Sequence, residues 1–254
     1  MATPEGTDLD ASAAVAEREA ERLRDRLAQL ELEQATLEAE IAAFNADYLR
    51  SVGVVMAQLH DVEARLLSLA AQRSGTRGDA EAAQTAAARA RRTTAAAAAV
   101  PPPAGPAPTG DLKKRFREAA KRMHPDLAAD AETRGHAEAF MKRLNDAYRA
   151  GDGDAIADLV RQWESSPYSA AAHDEVARSV RAVRRVGALQ SAVERAERRL
   201  EEVRSSELAQ MMERAMASAV RGGDLLGELR AAAEAALADA RVRLMQHGGY
   251  GGGA

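Results

Sequence analysis

The residues best suited to chemistry lie around the tripeptide His124-Pro125-Asp126. Residues 112–123, just before it, contain six basic residues and one acidic residue, Glu118, for a local charge of +5. Basic residues four positions apart share one face of a helix, and here they are Lys113, Arg117 and Lys121. This face either binds an anionic partner or is a solvated helix surface. Likewise, a lone histidine beside a proline can simply be a surface loop residue.

Two apolar stripes indicate the elements that must position the tripeptide. Their residues are spaced by 4, 3 and 4, as on one face of a helix. A helix must end near Met123, because Pro125 disfavours helical backbone at His124. Asp130 or Thr133 is a candidate N-cap for the second helix, and Gly151 suits its C-terminal end. The sequence therefore predicts an antiparallel helical hairpin with the tripeptide at its tip. The stripes are Leu112, Phe116, Ala119 and Met123, then Ala137, Met141, Leu144 and Tyr148.

This arrangement resembles the J-domain (DnaJ-like) co-chaperone family, in which two antiparallel helices flank a His-Pro-Asp loop. Residues 112–126 look like the basic helix and loop of that family, with Phe116 where the family usually has tyrosine. Residues 141–148 look like its second helix. The likeness covers about 40 of the 254 residues. It combines tripeptide, basic helix, loop length and second helix in the right order, which is far more specific than the tripeptide alone.

The resemblance implies a partner, a DnaK-type chaperone ATPase whose ATP hydrolysis this chain would stimulate. The basic helix would dock on an acidic surface of the ATPase, and Asp126 would engage a cation there, with His124 and Pro125 shaping the loop. Neither a cofactor nor a metal is implied. The partner-binding residues that the resemblance implies are His124, Pro125, Asp126, Lys113, Lys114, Arg117, Lys121, Arg122 and Asn145.

The chain also departs from the family pattern. The usual opening helix is missing, since proline-rich sequence precedes residue 111, and Leu127 stands where the family commonly has lysine. We expect a substitute helix, capped by Asp154, to cover the hairpin within a module spanning 111–163. Alternatively, Trp163 packs on the long C-terminal helix. The apolar face of the substitute helix is Ile156, Leu159, Val160 and Trp163.

Long periodic segments on both sides predict coiled-coil helices, so the expected fold is all-α. Residues 16–71 follow a heptad pattern, interrupted by two consecutive four-residue steps ending at Val52, beside Gly53. Residues 170–221 form a second long stripe. The two helices would pair antiparallel within the chain or assemble a homo-oligomer, and periodicity does not choose. The remaining segments are predicted as a disordered N-terminus, 1–15, an Ala/Pro-rich linker, 72–110, a terminal helix, 224–247, and a disordered glycine-rich tail, 248–254.

Composition narrows the function classes. The absence of cysteine excludes disulfides and the zinc module of the longest J-proteins, and it fits a cytoplasmic protein. We see neither a secretory signal nor a membrane span. The net charge of −4 argues against a nucleic-acid partner, and so does the lack of aromatic stacking residues on the basic face, since Phe116 belongs to the apolar stripe. No catalytic residue set or metal-ligand spacing is apparent, so we expect no enzyme. The expected function is co-chaperone, with coiled-coil arms for a client that the sequence does not identify. The alternative is a coiled-coil scaffold whose J-like hairpin no longer stimulates an ATPase.

Overall fold

The computed structural model of the chain describes residues 4–100, 108–128, 130–166 and 178–248. Within these ranges every element of secondary structure is helical and none is a strand, which confirms the predicted all-α class. In chain order the helices are α1 Pro4–Tyr48, α2 Val54–Ser74, α3 Arg77–Ala98, α4 Gly110–Met123, α5 Ala131–Arg149, α6 Gly153–Glu164, α7 Arg178–Arg204, α8 Glu207–Val220 and α9 Leu225–Gly248.

The chain divides into two compact units, and each is described by itself. Unit 1 comprises residues 1–40 and 105–206, so it contains most of α1 together with α4, α5, α6 and α7. Unit 2 comprises residues 41–104 and 207–254, with the end of α1 and helices α2, α3, α8 and α9. The predicted hairpin therefore lies wholly within unit 1.

In unit 2, α2 and α3 form an antiparallel hairpin joined by Gly75 and Thr76. Gly75 has φ +63°, a left-handed conformation that glycine adopts at little cost and that commonly ends a helix. The Thr76 hydroxyl then accepts a hydrogen bond from the Asp79 amide at 3.2 Å and caps α3. Helix α3 thus occupies much of the segment 72–110 that we interpreted as a linker. Its many alanines are strong helix formers, whereas the proline-rich residues 101–107 lie outside the described residues.

A π-helical turn, Leu49–Gly53, joins α1 to α2. It falls where the heptad pattern of 16–71 is interrupted. A π turn adds a residue to the helical repeat and so shifts the phase of the apolar stripe. A Cβ atom at Gly53 would meet Leu49 Cδ2 at 3.1 Å, so the absence of a side chain suits this tight turn. The interruption in the sequence therefore marks a real change in helical geometry.

Helix α9, which lies in the segment predicted as the terminal helix 224–247, packs beside α2. Arg241 bonds Gln58 at 3.1 Å, and Arg73 lies 3.1 Å from His247 Nδ1, so residue numbers increase together along both helices and the pair is parallel. The buried residues that these helices share are Leu59, Val62, Leu237 and Ala240.

In unit 1, α1 and α7 pack through a buried cluster that we call the α1–α7 cluster. Arg26 pairs with Glu197 at 3.0 Å and Glu33 with Arg204 at 3.6 Å, so these helices also run parallel. The antiparallel pairing that we weighed is therefore wrong for α1 and α7. The cluster consists of Ala20, Leu27, Leu30, Leu189, Ala192, Ala196 and Leu200.

Two further boundaries differ from the predictions. Helix α1 begins at Pro4, so residues 4–15, which we predicted to be disordered, are helical. The segment 170–221 is not one helix, because a turn at Ser205 and Ser206 separates α7 in unit 1 from α8 in unit 2. The start of that segment, 170–177, and the glycine-rich end from 249 onward lie outside the described residues.

Candidate functional site

Capping at three points defines the α4–α5 hairpin. The Thr109 hydroxyl accepts from the Leu112 amide at 3.2 Å, and α4 ends where His124 turns extended, with φ −67° and ψ 130°. A 3-10 turn, Pro125–Leu127, follows. The Asp130 carboxylate then accepts from the Thr133 amide at 2.8 Å and starts α5, so Asp130 is the N-cap. The tripeptide therefore occupies a short loop that is fixed on both sides.

The two predicted apolar stripes meet in one buried core, which we call the hairpin core. The rings of Phe116 and Tyr148 lie 4.8 Å apart between centroids and are tilted by 55°, a favourable aromatic arrangement. All eight stripe residues of α4 and α5 are buried together. This packing holds the two helices side by side and places His124 at the tip.

Helix α6 covers the hairpin core. Ile156, Leu159 and Trp163 are buried in it, and the rings of Trp163 and Phe140 make an edge contact at 5.3 Å. Trp163 therefore packs on the hairpin, and the alternative of packing on the C-terminal helix α7 is wrong. The helix cap differs from our expectation, because Asp152 rather than Asp154 accepts the first amide bonds, at 3.1 and 2.8 Å.

Helix α1 also covers the hairpin core, which we did not predict. Ala28, Leu32 and Ala35 are buried against it, and the Thr36 hydroxyl lies 2.9 Å from the Tyr148 hydroxyl. These three apolar residues are spaced by 4 and 3, so they form a second stripe on α1 beside the heptad seam. Because alanine carries a weak apolar signal, the stronger leucine seam concealed this stripe.

His124 is buried, with 5% of its surface exposed, and both ring nitrogens have partners. Nδ1 accepts the Asp126 backbone N–H at 3.1 Å. Since a backbone N–H can only donate, Nδ1 carries no proton and Nε2 carries it. Nε2 lies 3.2 Å from Glu31 Oε1 and donates to it. The histidine is thus a neutral ring that joins its own loop to α1.

Glu31 is a buried carboxylate that faces two elements. Besides the bond from His124, it accepts one from Arg199 of α7 at 2.7 Å. Burial disfavours the charged carboxylate, but the hydrogen bond from His124 and the positive charge of Arg199 together hold the pKa of Glu31 below its ordinary value. A buried charge is stable only when paired in this way, so Glu31 requires both partners.

Asp126 pairs with a residue of α7, and Lys121 pairs with residues of α1. Asp126 Oδ2 lies 2.9 Å from Arg195 Nη2 of α7. Lys121 Nζ lies 2.8 Å from Asp25 Oδ1 and 2.5 Å from Glu21 Oε1, both on α1. Hydrogen bonds to Asp25 and Glu21 raise the pKa of Lys121 above its ordinary value, so it is fully charged at neutral pH. Leu127 packs partly against the α1–α7 cluster.

The other predicted site residues have different surroundings. Lys114 is exposed and Lys113 and Arg117 are partly exposed, and among the described residues no hydrogen bond or ion pair engages their side chains. Arg122 pairs with Glu164 of α6. Asn145 is partly buried on α5, and its Oδ1 has no hydrogen-bond partner among the described residues. The predicted site therefore has an open portion, Lys113, Lys114 and Arg117, and an occupied tip, Lys121, His124 and Asp126.

Sequence reasoning missed the partners of this tip. Glu21, Asp25, Glu31, Arg195 and Arg199 lie far from the loop in sequence, and nothing in local periodicity pairs them with it. One signal was present, because Glu31 is an acidic residue directly after the seam residue Leu30 and between the two apolar stripes of α1. A charge in such a position usually needs a buried partner.

Comparison of the chain with family models, with curated proteins and with solved structures finds no match. Among the described ranges, no group of His, Cys, Asp and Glu side chains is arranged to hold a metal ion. Nor does any helix in that part of the chain have the length and apolar character needed to cross a bilayer.

Proposed function

We propose that the α4–α5 hairpin recruits a DnaK-type chaperone ATPase and stimulates its ATP hydrolysis, acting as a J-like co-chaperone in the cytoplasm. The observation that carries the proposal is the position of His124-Pro125-Asp126 at the turn of an antiparallel hairpin, directly after the basic helix α4. The remaining helices would bind or localise a protein client, or assemble the chain as an oligomer. The chain itself would act without cofactor or metal.

The charge of α4 suits the first step of recruitment. Lys113, Lys114 and Arg117 present positive charge to solvent. Such a surface attracts an acidic protein at long range and orients the encounter. Asp126 would then supply a carboxylate at the end of the same helix for a cation on the ATPase. Because exposed charges are screened by salt, binding should weaken as ionic strength rises.

A second candidate function is a scaffold whose J-like hairpin no longer stimulates an ATPase. The observation that favours it is the occupied tip, because Lys121, His124 and Asp126 all have partners within unit 1. In this case the loop would be a structural joint between α4 and the helices α1 and α7. The two candidates make opposite predictions about Asp126.

The test is a steady-state ATPase assay with the cognate DnaK-type protein. The full-length wild-type chain is compared with Asp126→Asn, which removes one charge at almost constant size. Asp130→Asn is the matched control, since it makes the same change four residues away and asparagine caps a helix as well as aspartate does. We expect wild type and Asp130→Asn to accelerate hydrolysis, and Asp126→Asn to leave it at the partner's basal rate.

The assay is repeated in an Arg195→Glu background, in which Asp126 loses its partner on α7. Rates that stay equally close to the partner's basal rate with and without the Asp126→Asn change, in both the wild-type and the Arg195→Glu backgrounds, would rule out the co-chaperone function and leave the scaffold. Asp126-dependent stimulation in either background excludes the scaffold.

A further inference from the structure

Two helices outside the hairpin present to its tip the charges that a partner would have to present. A protein that binds Lys121 must offer a carboxylate, and one that binds Asp126 must offer a cation. Helix α1 offers Glu21 and Asp25 to Lys121, and α7 offers Arg195 to Asp126. A partner that binds the tip therefore competes with the chain's own α1 and α7.

These contacts are not needed to complete the hairpin core. Helix α7 contributes no residue to that core within the described ranges, because the core is built from α4, α5, α6 and the second stripe of α1. The contacts of α7 with the hairpin are instead the ion pair to Asp126 and the packing of Leu127 on the α1–α7 cluster. Arg199 reaches the tip only through Glu31, which in turn accepts from His124.

We propose that charged side chains of α1 and α7 form an autoinhibitory clamp over the tip of the α4–α5 hairpin, built on Glu21, Asp25 and Arg195. Closed, the clamp occupies Lys121 and Asp126, while Lys113, Lys114 and Arg117 stay free for a first encounter. Open, it releases these two side chains for the ATPase, while α1 stays packed on the hairpin core. The clamp concerns the regulation of the proposed co-chaperone site and so rests on that function.

The strength of the clamp is suited to reversible opening. The side chains of Arg195, Glu21 and Asp25 are 45%, 51% and 62% exposed, and ion pairs with this much solvent contact contribute little each. The buried bond between His124 and Glu31 and the residues of α1 in the hairpin core stay in place when these exposed pairs separate. A partner or client that competes for these exposed contacts can therefore shift the equilibrium from the closed to the open clamp.

The test compares two double variants of the full chain with the same charge balance. The opened variant, Glu21→Lys with Arg195→Glu, places like charges opposite Lys121 and Asp126. The control variant, Glu17→Lys with Arg198→Glu, reverses two exposed charges on the same helices. Neither Glu17 nor Arg198 forms an ion pair among the described residues. Neither variant alters the hairpin itself. Circular dichroism and amide exchange across α5 check that both retain the wild-type fold.

The first readout requires no partner and is hydrogen exchange of residues 124–128. Three backbone amides of this loop donate hydrogen bonds in the closed state. The Asp126 amide donates to His124 Nδ1, the Leu127 amide to the His124 carbonyl, and the Ala128 amide to the Pro125 carbonyl. We expect exchange of this segment to be roughly fivefold faster in the opened variant, since the loss of one or two weak pairs changes an equilibrium by about that factor. The control variant should match wild type.

The second readout is stimulation of the DnaK-type ATPase. We expect the opened variant to stimulate at lower concentration than wild type, and the control variant to behave as wild type. Unchanged loop exchange in the opened variant overturns the clamp whatever the ATPase result. Faster exchange with unchanged, Asp126-dependent stimulation also overturns it but leaves the proposed function intact. Absence of Asp126-dependent stimulation in every background overturns the proposed function, and with it the regulatory role of the clamp.

Discussion

The α4–α5 and α2–α3 hairpins are both antiparallel, but they are built in different ways. In the α4–α5 hairpin of unit 1, bulky side chains such as Phe116, Leu144 and Tyr148 are fully buried. In the α2–α3 hairpin of unit 2, Ala90 is the residue of α3 that is buried. Aromatic side chains bury the most apolar area each, so the α4–α5 hairpin gains more from each contact than α3 gains from an alanine. The first hairpin fixes a loop with defined geometry, whereas α3 of the second hairpin contributes one buried alanine.

Each hairpin also buries one histidine, and the difference concerns its partners. His124 uses both ring nitrogens, one on its own loop and one on Glu31. His60 of α2 uses Nδ1 on the Thr93 hydroxyl at 3.2 Å, while its Nε2 is buried without a partner in the described structure. Full pairing of a buried polar group specifies one geometry. We therefore expect His124 to position a site and His60 to be a tolerated packing residue.

The largest expected effect comes from Phe116→Ala, which removes a fully buried ring from the centre of the hairpin core. Loss of the ring and the cavity left behind should lower the free energy of unfolding of unit 1 by about 3–5 kcal/mol. Denaturant unfolding followed by fluorescence measures this, because the single tryptophan of the chain, Trp163, lies in that core.

Phe140→Ala is the matched control for this truncation. Phe140 is only partly buried at the edge of the same core, against Trp163. Phe140→Ala should therefore lower the free energy of unfolding of unit 1 clearly less than Phe116→Ala does. Equal losses for the two variants would mean that the hairpin core is not organised around Phe116 and Tyr148, and the contrast with the α2–α3 hairpin would disappear.

The two hairpins also differ in how far the sequence predicts them. The spacing of Leu112, Phe116 and Met123, with Pro125 after them, predicts α4 and its end, because large apolar residues mark one face clearly. Helix α3 has no such face, since alanine occurs on all sides of it. High helix propensity was the remaining signal, and it competed with the neighbouring prolines.

The occupied tip could not be predicted for a different reason. Glu31 and Arg195 come from segments distant in the chain, and their pairing with His124 and Asp126 depends on the parallel packing of α1 and α7. Heptad periodicity predicts that two helices have seams but gives neither their direction nor their register. The candidate site was thus predicted as a list of residues, whereas its division into an open and an occupied portion required the structure.

A smaller effect is expected at the turn of the α2–α3 hairpin. Gly75→Ala places a Cβ on a residue with φ +63°, where no atom lies within 4 Å of it, so the cost is backbone strain alone. We expect a loss of about 1 kcal/mol in the stability of unit 2. Amide exchange across α3 measures it.

Gly78→Ala separates this strain from a general effect of adding a methyl group. Gly78 lies in the first turn of α3 without positive φ, and its added Cβ also has open space. Alanine should be neutral there or stabilise by up to about 1 kcal/mol. Slower exchange across α3 in both variants would show that the turn does not need glycine.

The smallest expected effect is a difference in acid sensitivity between the two units. Burial, and next the charge of Arg89, lower the pKa of His60 below its ordinary value of 6.5, with a weak opposing effect of Glu63. Because the unfolded chain then binds the proton more strongly, unit 2 should lose stability as the pH falls from 6.5 toward the lowered pKa. The pKa of Glu31 in unit 1 is also lowered, so its contribution is lost only as the pH falls below the ordinary glutamate value of 4.5. Between pH 7 and pH 5, the melting temperature followed by circular dichroism should fall in wild type and stay constant in His60→Gln. The transition followed by Trp163 fluorescence should stay constant in both proteins. A parallel shift of the Trp163 transition in that range would mean that the loss of stability in acid is not confined to unit 2.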